Sequence, residues 1–395
     1  MNRLRTFVEG GWFGRERAIG YARMMAIAFA PSLVFYYLQA MGPVGSDFLA
    51  FWSAGRMVVS GDPAAAYDPA AMEALQTGLG RSTWFPFLNP PPFLAVVAPL
   101  GLVPYAWAWP AWVAATYAVW LAVARRIMPG AFWPVAVFPG ALIAAWHGQN
   151  GFVTGALFIG AMLGLRSSRP WLAGALIGAL VIKPHLVLLA PVALAASRNW
   201  KAFIAAAISA LGLLLVSWLA FGPDVMAAFL SGSSISAGHL GDTRADFLLR
   251  MPTVYASASL FLGTTAGMAV QAVATLACAV AVWRVWATSD DHLGRAAVLA
   301  TAAILATPYA FHYDLPLLIL PVCWWARDAM ARGWAPYERP LLAAFYWSPL
   351  VVRAAALPLG VNVMPLVLGG ALVFMVRRVL ASAAVRPAGA IVEGA

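Results

Sequence analysis

The sequence predicts an all-α integral membrane protein, one polytopic helical domain of about 11 to 13 membrane segments of roughly 20 apolar residues each. Of its 395 residues 63% are hydrophobic and 10% charged, whereas a soluble domain carries about 25% charged residues. Mean hydropathy is +0.80, and apolar runs recur along nearly the whole length, so no separate soluble domain is expected over residues 1–395. The 34 Gly and 28 Pro suit helices that kink and pack closely within lipid.

Residues 1–23 are polar, include five Arg and lead straight into an apolar span near Ile27 to Met41, which reads as an uncleaved cytoplasmic tail and a first crossing. Residues 42–89 form a first extracytoplasmic loop. Within it two interfacial helices are expected, Asp47 to Ser60 and Pro69 to Leu79, split by Gly61-Asp62-Pro63, with Phe48, Phe51 and Trp52 toward lipid. Pro90 to Val103 is too short to cross and reads either as re-entrant or as a short tilted helix. Trp171 to Ala196 is interrupted by Lys183-Pro184-His185, where proline cannot continue the backbone ladder, and reads as a hairpin. Residues 222–252 form a second extracytoplasmic loop, rich in Ser and Gly, whose Asp242, Arg244 and Asp246 could order over a substrate; a solvated connector is the plainer reading. Residues 380–395 read as a cytoplasmic tail.

Orientation follows from charge. With the Arg-rich loops inside, 19 of the 25 Lys and Arg are cytoplasmic and four are outside, at 56, 81, 244 and 250, leaving Lys183 and Arg353 in apolar surroundings. Eight of the 15 acids fall outside, Asp47 and Asp314 among them. A net charge of +10 distributed over short loops is a topology signal, so no nucleic-acid partner is expected. Cys278 and Cys323 both lie in apolar runs and support neither a disulfide framework nor a metal site.

On this topology the unusual polar residues gather at one boundary: Asp47, Asn89, His147-Gly148-Gln149-Asn150-Gly151, Lys183 with His185, and His312-Tyr313-Asp314. Each has a plainer reading. Asp47 could cap the helix that follows it, which stabilises by about 1 kcal/mol; the sharper reading is a general base that takes a proton from an attacking hydroxyl. His147 to Gly151 could be a tight turn, although a turn alone does not call for Gln149 and Asn150. Lys183 in an apolar hairpin costs about 2.5–3.5 kcal/mol unless paired or wetted; it either snorkels or meets an anionic headgroup or leaving phosphate. His312 could bond quietly to Asp314 or a carbonyl, or donate to a phosphate oxygen or a sugar hydroxyl. Arg353 could reach a phosphate. Gly151/Gly155, Gly160/Gly164 and Gly174/Gly178 have the spacing of close-packed membrane helices. The many Trp read mostly as interfacial anchors, although Trp84 and Trp146 near the outer face could stack on a sugar ring.

No Walker A loop, dinucleotide fingerprint, HExxH or EF-hand is present, and Asp290-Asp291 has no Rossmann-like domain around it, which argues against a nucleotide-sugar donor. No cofactor or metal site is assigned, and use of a divalent cation is left open.

Asp47-Phe48, Trp52-Ser53-Ala54-Gly55, Gly61-Asp62-Pro63, Tyr67-Asp68, Asn89-Pro90-Pro91-Pro92-Phe93, Gly148-Gln149-Asn150-Gly151 and Lys183-Pro184-His185 occur in an order that resembles glycosyltransferase family 87. That family contains polyprenyl-phosphate-mannose-dependent alpha-mannosyltransferases of the GT-C membrane fold. The resemblance spans roughly Asp47 to Lys201. It implies a GT-C-type bundle in a bacterial inner membrane, acting in the cell envelope, in keeping with the cytoplasmic N-terminus read from the charge distribution. It further implies a polyprenyl-phosphate-sugar donor, a lipid or glycan acceptor and inverting transfer on the extracytoplasmic face. Asp47 maps onto the catalytic base; Lys183, His185, His147, Gln149, Asn150, His312, Asp314, Asn89 and Arg353 are the candidate substrate-binding residues.

Two other classes compete. A transporter or flippase would place its ionisable and helix-breaking features near the midplane in repeated halves, and no convincing internal repeat is seen. A glycan polymerase or ligase would rely on periplasmic Arg and His in place of an acid after the first span.

Overall fold

The described residues of the computed structural model are Gly10, 14–240 and 245–384, without the side chains of 233–240 and 383–384. Asp242 and Arg244, most of residues 1–13 and the tail from 385 lie outside them. Helices and turns make up the described residues, with no strand. In chain order the helices are α1 (Arg15–Met41), α2 (Phe48–Val59), α3 (Pro69–Gly78), α4 (Pro92–Val97), α5 (Tyr105–Ala124), α6 (Phe132–Ala136), α7 (Pro139–His147), α8 (Gly151–Arg166), α9 (Pro170–Ala179) and α10 (Ala190–Ala196). They continue with α11 (Trp200–Phe221), α12 (Pro223–Leu240), α13 (Ala245–Leu248), α14 (Val254–Leu262), α15 (Thr264–Thr288), α16 (His292–Ala306), α17 (Ile319–Arg332), α18 (Glu338–Leu359) and α19 (Met364–Ala384).

Six of these, α1, α5, α11, α15, α18 and α19, are long and apolar enough to cross a membrane, and residues 129–136 with α7 reach that length and apolarity only when taken together across a 49° bend. The expected 11 to 13 segments are thus not reproduced. Six further apolar stretches fold into helices of only 10–17 residues. The physical difference is burial: in the six long spans only 11–39% of the apolar window is buried, whereas nearly all of α16 from Leu293 to Ala306 is enclosed by protein. An apolar helix surrounded by other helices has no bilayer thickness to match. Sequence hydropathy counts both kinds alike.

The segment between α1 and α5 differs from the expected interfacial pair. Phe48, Phe51 and Trp52 of α2 are 0%, 2% and 7% exposed, packed inside the protein. Phe51 meets Phe93 edge-on at 5.1 Å, and Phe93 meets Trp112 at 6.2 Å. Gly55 and Gly101 bring α2 against the 3-10 turn Ala98–Leu102 so closely that a Cβ on Gly101 would lie 2.3 Å from the Gly55 carbonyl carbon. The Gly174/Gly178 spacing does the same between α9 and α11, where an added Cβ would lie 2.3 Å from the carbonyl oxygens of Ala202 and Ala206.

The Ser/Gly-rich segment after Gly222 is largely helical, as α12. Its Phe229 ring packs 5.5 Å from Tyr67, tying it to the 3-10 turn Pro63–Tyr67. The interruption at Lys183 separates the 3-10 turns Leu180–Ile182 and Pro184–Val187. Asn89 Nδ2 donates to the Ile182 carbonyl at 3.0 Å, supplying a partner at the break that proline cannot.

Candidate active site

α1 ends at Gly42, where Arg81 Nη1 donates to the Met41 carbonyl at 2.8 Å and also to that of Gly42. The chain then turns and enters α2 at Asp47. Asp47 occupies the N-cap position, yet its side chain makes no cap hydrogen bond and its backbone is already helical, at φ −53° and ψ −27°. The capping role is therefore vacant, and the carboxylate points elsewhere. Its Oδ2 lies 2.6 Å from His147 Nδ1, and the two side chains are 30% and 21% exposed. His147 is the last residue of α7 and is aimed by Gly148, which caps that helix at φ +60°. A Cβ at Gly148 would lie 2.8 Å from Phe48 Cβ and 2.9 Å from Trp109 Nε1, so glycine alone lets the end of α7 meet the start of α2. Arg353 of α18 reaches the other ring nitrogen, Nη2 to His147 Nε2, at 2.9 Å, with Tyr36 of α1 nearby. Burial pushes the Asp47 carboxyl upward, but the hydrogen bond from His147 and the nearby Arg353 guanidinium outweigh it and hold the group below its ordinary value.

A second cluster is buried. Lys183 Nζ lies 2.5 Å from Asp314 Oδ1 and 3.1 Å from Asn150 Oδ1, with the three residues 8%, 1% and 0% exposed. Lys183 therefore neither snorkels nor stands unpaired. Asp314 Oδ2 accepts the Phe311 N–H at 3.0 Å, which closes the 3-10 turn His312–Leu318. Because an ammonium only donates, the Asn150 oxygen faces Lys183, and its Nδ2 is left buried without a partner. His312 Nδ1 bonds the Arg250 carbonyl at 2.8 Å; a carbonyl only accepts, so this nitrogen bears the proton and Nε2 is the orphan. His185 Nε2 is likewise buried and unpartnered, with the ring edge-on to Tyr309 at 5.9 Å.

Tyr313 joins the clusters: its ring lies 5.8 Å from that of His147 and 4.9 Å beneath Lys183 Nζ. Asn89 and Gln149 are engaged locally, Asn89 with Ile182 and Gln149 Oε1 with the Asn150 N–H at 3.3 Å. One face of Trp146 is taken by Tyr36, on which it stacks at 4.6 Å, and its Nε1 donates to Ser32. Sequence reasoning passed over Tyr36 and gave Tyr313 no role. Its position inside His312-Tyr313-Asp314 was the one available signal.

The start of α8 lies directly on this turn, for a Cβ at Gly151 would sit 1.8 Å from the Tyr313 carbonyl oxygen. Gly151→Ala is expected to force α8 and the turn apart, costing at least about 1–3 kcal/mol and moving Tyr313 and Asp314. Thermal unfolding in detergent checks it, and wild-type stability would count against this contact.

All these groups sit where α8, α17 and α19 begin and α7 and α16 end. The opposite ends of α8, α16, α17 and α19 line a cavity of about 610 Å³ with Arg166, Asp290, His292, Arg327 and Asp328. Its acids are engaged: Asp328 pairs with Arg332 and Arg378, Asp290 with Arg295 at 3.8 Å, and Asp291 caps α16. Three buried side-chain atoms without a partner, Asn150 Nδ2, His185 Nε2 and His312 Nε2, belong to the clusters at the Asp47 end, which makes that end the candidate site. Among the described residues no group of three or more His, Cys, Asp or Glu could hold a metal.

The sequence pattern of glycosyltransferase family 87 matches residues 87–308, more than half of the chain. The match takes in Asn89, His147, Gln149, Asn150, Lys183 and His185; the fold then closes Asp47, His312, Asp314 and Arg353 onto them. No curated protein and no solved structure matches the chain. A match of this extent, on a helical bundle with membrane-length spans, establishes membership: the chain belongs to glycosyltransferase family 87 and is a multi-pass membrane glycosyltransferase.

Proposed function

We propose that the chain transfers a sugar, mannose by its family resemblance, from a polyprenyl-phosphate-sugar donor to a hydroxyl of a lipid or glycan acceptor, with inversion, on the extracytoplasmic face of a bacterial inner membrane. The observation that carries this reading is the Asp47 carboxylate, released from capping, held by one oxygen on His147 and partly exposed. In this reading the acceptor O–H gives its proton to Asp47 as its oxygen forms a bond to the anomeric carbon. The bond from that carbon to the phosphate oxygen breaks, and polyprenyl phosphate departs with the electron pair. One displacement at one carbon inverts the configuration. Lys183 supplies positive charge near the leaving phosphate. Asn150 Nδ2, His185 Nε2 and His312 Nε2, buried and unpartnered, have hydrogen-bonding capacity to spend on substrate hydroxyls.

The test is transfer by membranes containing the chain, supplied either with radiolabelled polyprenyl-phosphate mannose or with nucleotide-activated mannose under conditions that block lipid-donor synthesis. Label should move from the lipid donor alone; transfer from the nucleotide sugar alone would overturn the donor assignment. Because the Asp47 carboxyl is held below its ordinary value of about 3.9, the base stays ionised at every neutral or mildly acidic pH. The acid limb it contributes to the rate profile is expected below about pH 4. A rate that halves near pH 6 would assign the essential ionisation to another group.

A further inference from the structure

Arg353, His147 and Asp47 come from α18, the end of α7 and the start of α2, and meet in a line whose hydrogen-bond direction is fixed by chemistry. A guanidinium has only donors, so His147 Nε2, 2.9 Å from Arg353 Nη2, must offer its lone pair. The ring proton of a neutral imidazole is then on Nδ1, aimed at Asp47 Oδ2 at 2.6 Å. A proton on Nε2 would set N–H against N–H. Tyr36 of α1 lies beside the Arg353 end. Tyr313 flanks the imidazole at 5.8 Å between ring centres.

We infer that Arg353 is a positioning residue, which locks His147 in the Nδ1–H tautomer so that His147 holds one Asp47 oxygen and leaves the other for the acceptor hydroxyl. This rests on Asp47 being the base. It assigns His147 and Arg353 to orienting that base, in place of the direct contact with substrate that their position at the membrane boundary suggests. Neither residue needs to touch the sugar for its loss to slow the reaction, because a displacement of about 1 Å at the reacting groups costs on the order of 10²-fold in rate. A glutamine at 147 presents one donor and one acceptor on a single amide carbon and can satisfy both neighbours; leucine can satisfy neither.

The test has two arms. In the first, the full chain with 15N-labelled histidine is reconstituted in lipid nanodiscs. Its five histidines are resolved by NMR, with His147 assigned from the signal missing in His147→Gln. The expected spectrum shows His147 neutral, protonated on Nδ1 and bare on Nε2, and this pattern should be lost in Arg353→Met. A wild-type His147 protonated on Nε2, or one unaffected by Arg353→Met, overturns the inference without reference to any donor. In the second arm, transfer from polyprenyl-phosphate mannose is measured. Arg353→Met is expected to lower kcat about 10- to 10²-fold with donor KM nearly unchanged, and His147→Gln to keep more activity than His147→Leu. A raised donor KM with kcat preserved would make Arg353 a substrate ligand and overturn the inference. Absence of transfer by the wild type would instead overturn the donor reading, and the NMR arm would still decide the tautomer.

Discussion

Asp47→Asn is expected to reduce sugar transfer by about 10²- to 10⁴-fold, the contribution of a well-placed general base, with little change in folding. Asparagine matches aspartate in shape, and its amide oxygen can still accept the His147 Nδ1–H, so the junction between α2 and α7 persists. What disappears is the capacity to take a proton as the acceptor oxygen bonds to carbon. The loss of cap energy that often complicates such a substitution does not arise, because the Asp47 side chain makes no cap bond. Initial rates in membranes, normalised to inserted protein, provide the measurement. A rate within a few-fold of the wild type would remove Asp47 from the role of base.

Lys183→Met is expected to be the most destabilising of the site substitutions. It leaves the Asp314 carboxylate, 1% exposed, without its cation, and breaking a buried pair on one side costs about 3–5 kcal/mol. Asp314 retains only the Phe311 N–H, and Asn150 loses the donor to its oxygen. Combining Lys183→Met with Asp314→Asn removes the uncompensated charge and should recover much of the lost stability, while transfer stays low in both. Thermal unfolding of wild type, both single variants and the double variant gives the coupling between the two positions. If the double variant is as unstable as the sum of the singles, the ion pair is not what holds this part of the site together.

Much of the candidate site was legible in the sequence because costly residues stand out in an apolar chain. A lysine before a proline in a hydrophobic run, an acid just after the first span and a Gly-Gln-Asn-Gly turn each stand out against a background that is only 10% charged. Their gathering at one end of the bundle was readable from charge topology. Their partners were not. His147 is 100 residues from Asp47 and 206 from Arg353, and Lys183 is 131 from Asp314; no spacing rule reaches across such intervals. The same limit explains Phe48, Phe51 and Trp52. An aromatic face on a short helix looks alike whether lipid or protein will cover it, and here protein does. The span count failed because length and apolarity report hydrophobic burial without saying what the helix is buried in.

The division between long outward helices and short enclosed ones separates two mechanical environments. A change in bilayer thickness is met by tilting of the lipid-facing spans, at fractions of a kcal/mol per Å of mismatch. Asp47, His147, Asn150, Lys183 and Asp314 all stand on short or broken elements and are shielded from that adjustment. Arg353 stands on α18, one of the long spans, and bonds across to His147. Tilting of α18 would draw on that bond, so the thickness of the surrounding lipid can reach His147 and Asp47 through the Arg353 guanidinium, and a membrane of changed thickness is expected to act on turnover much as a weakened Arg353 contact does.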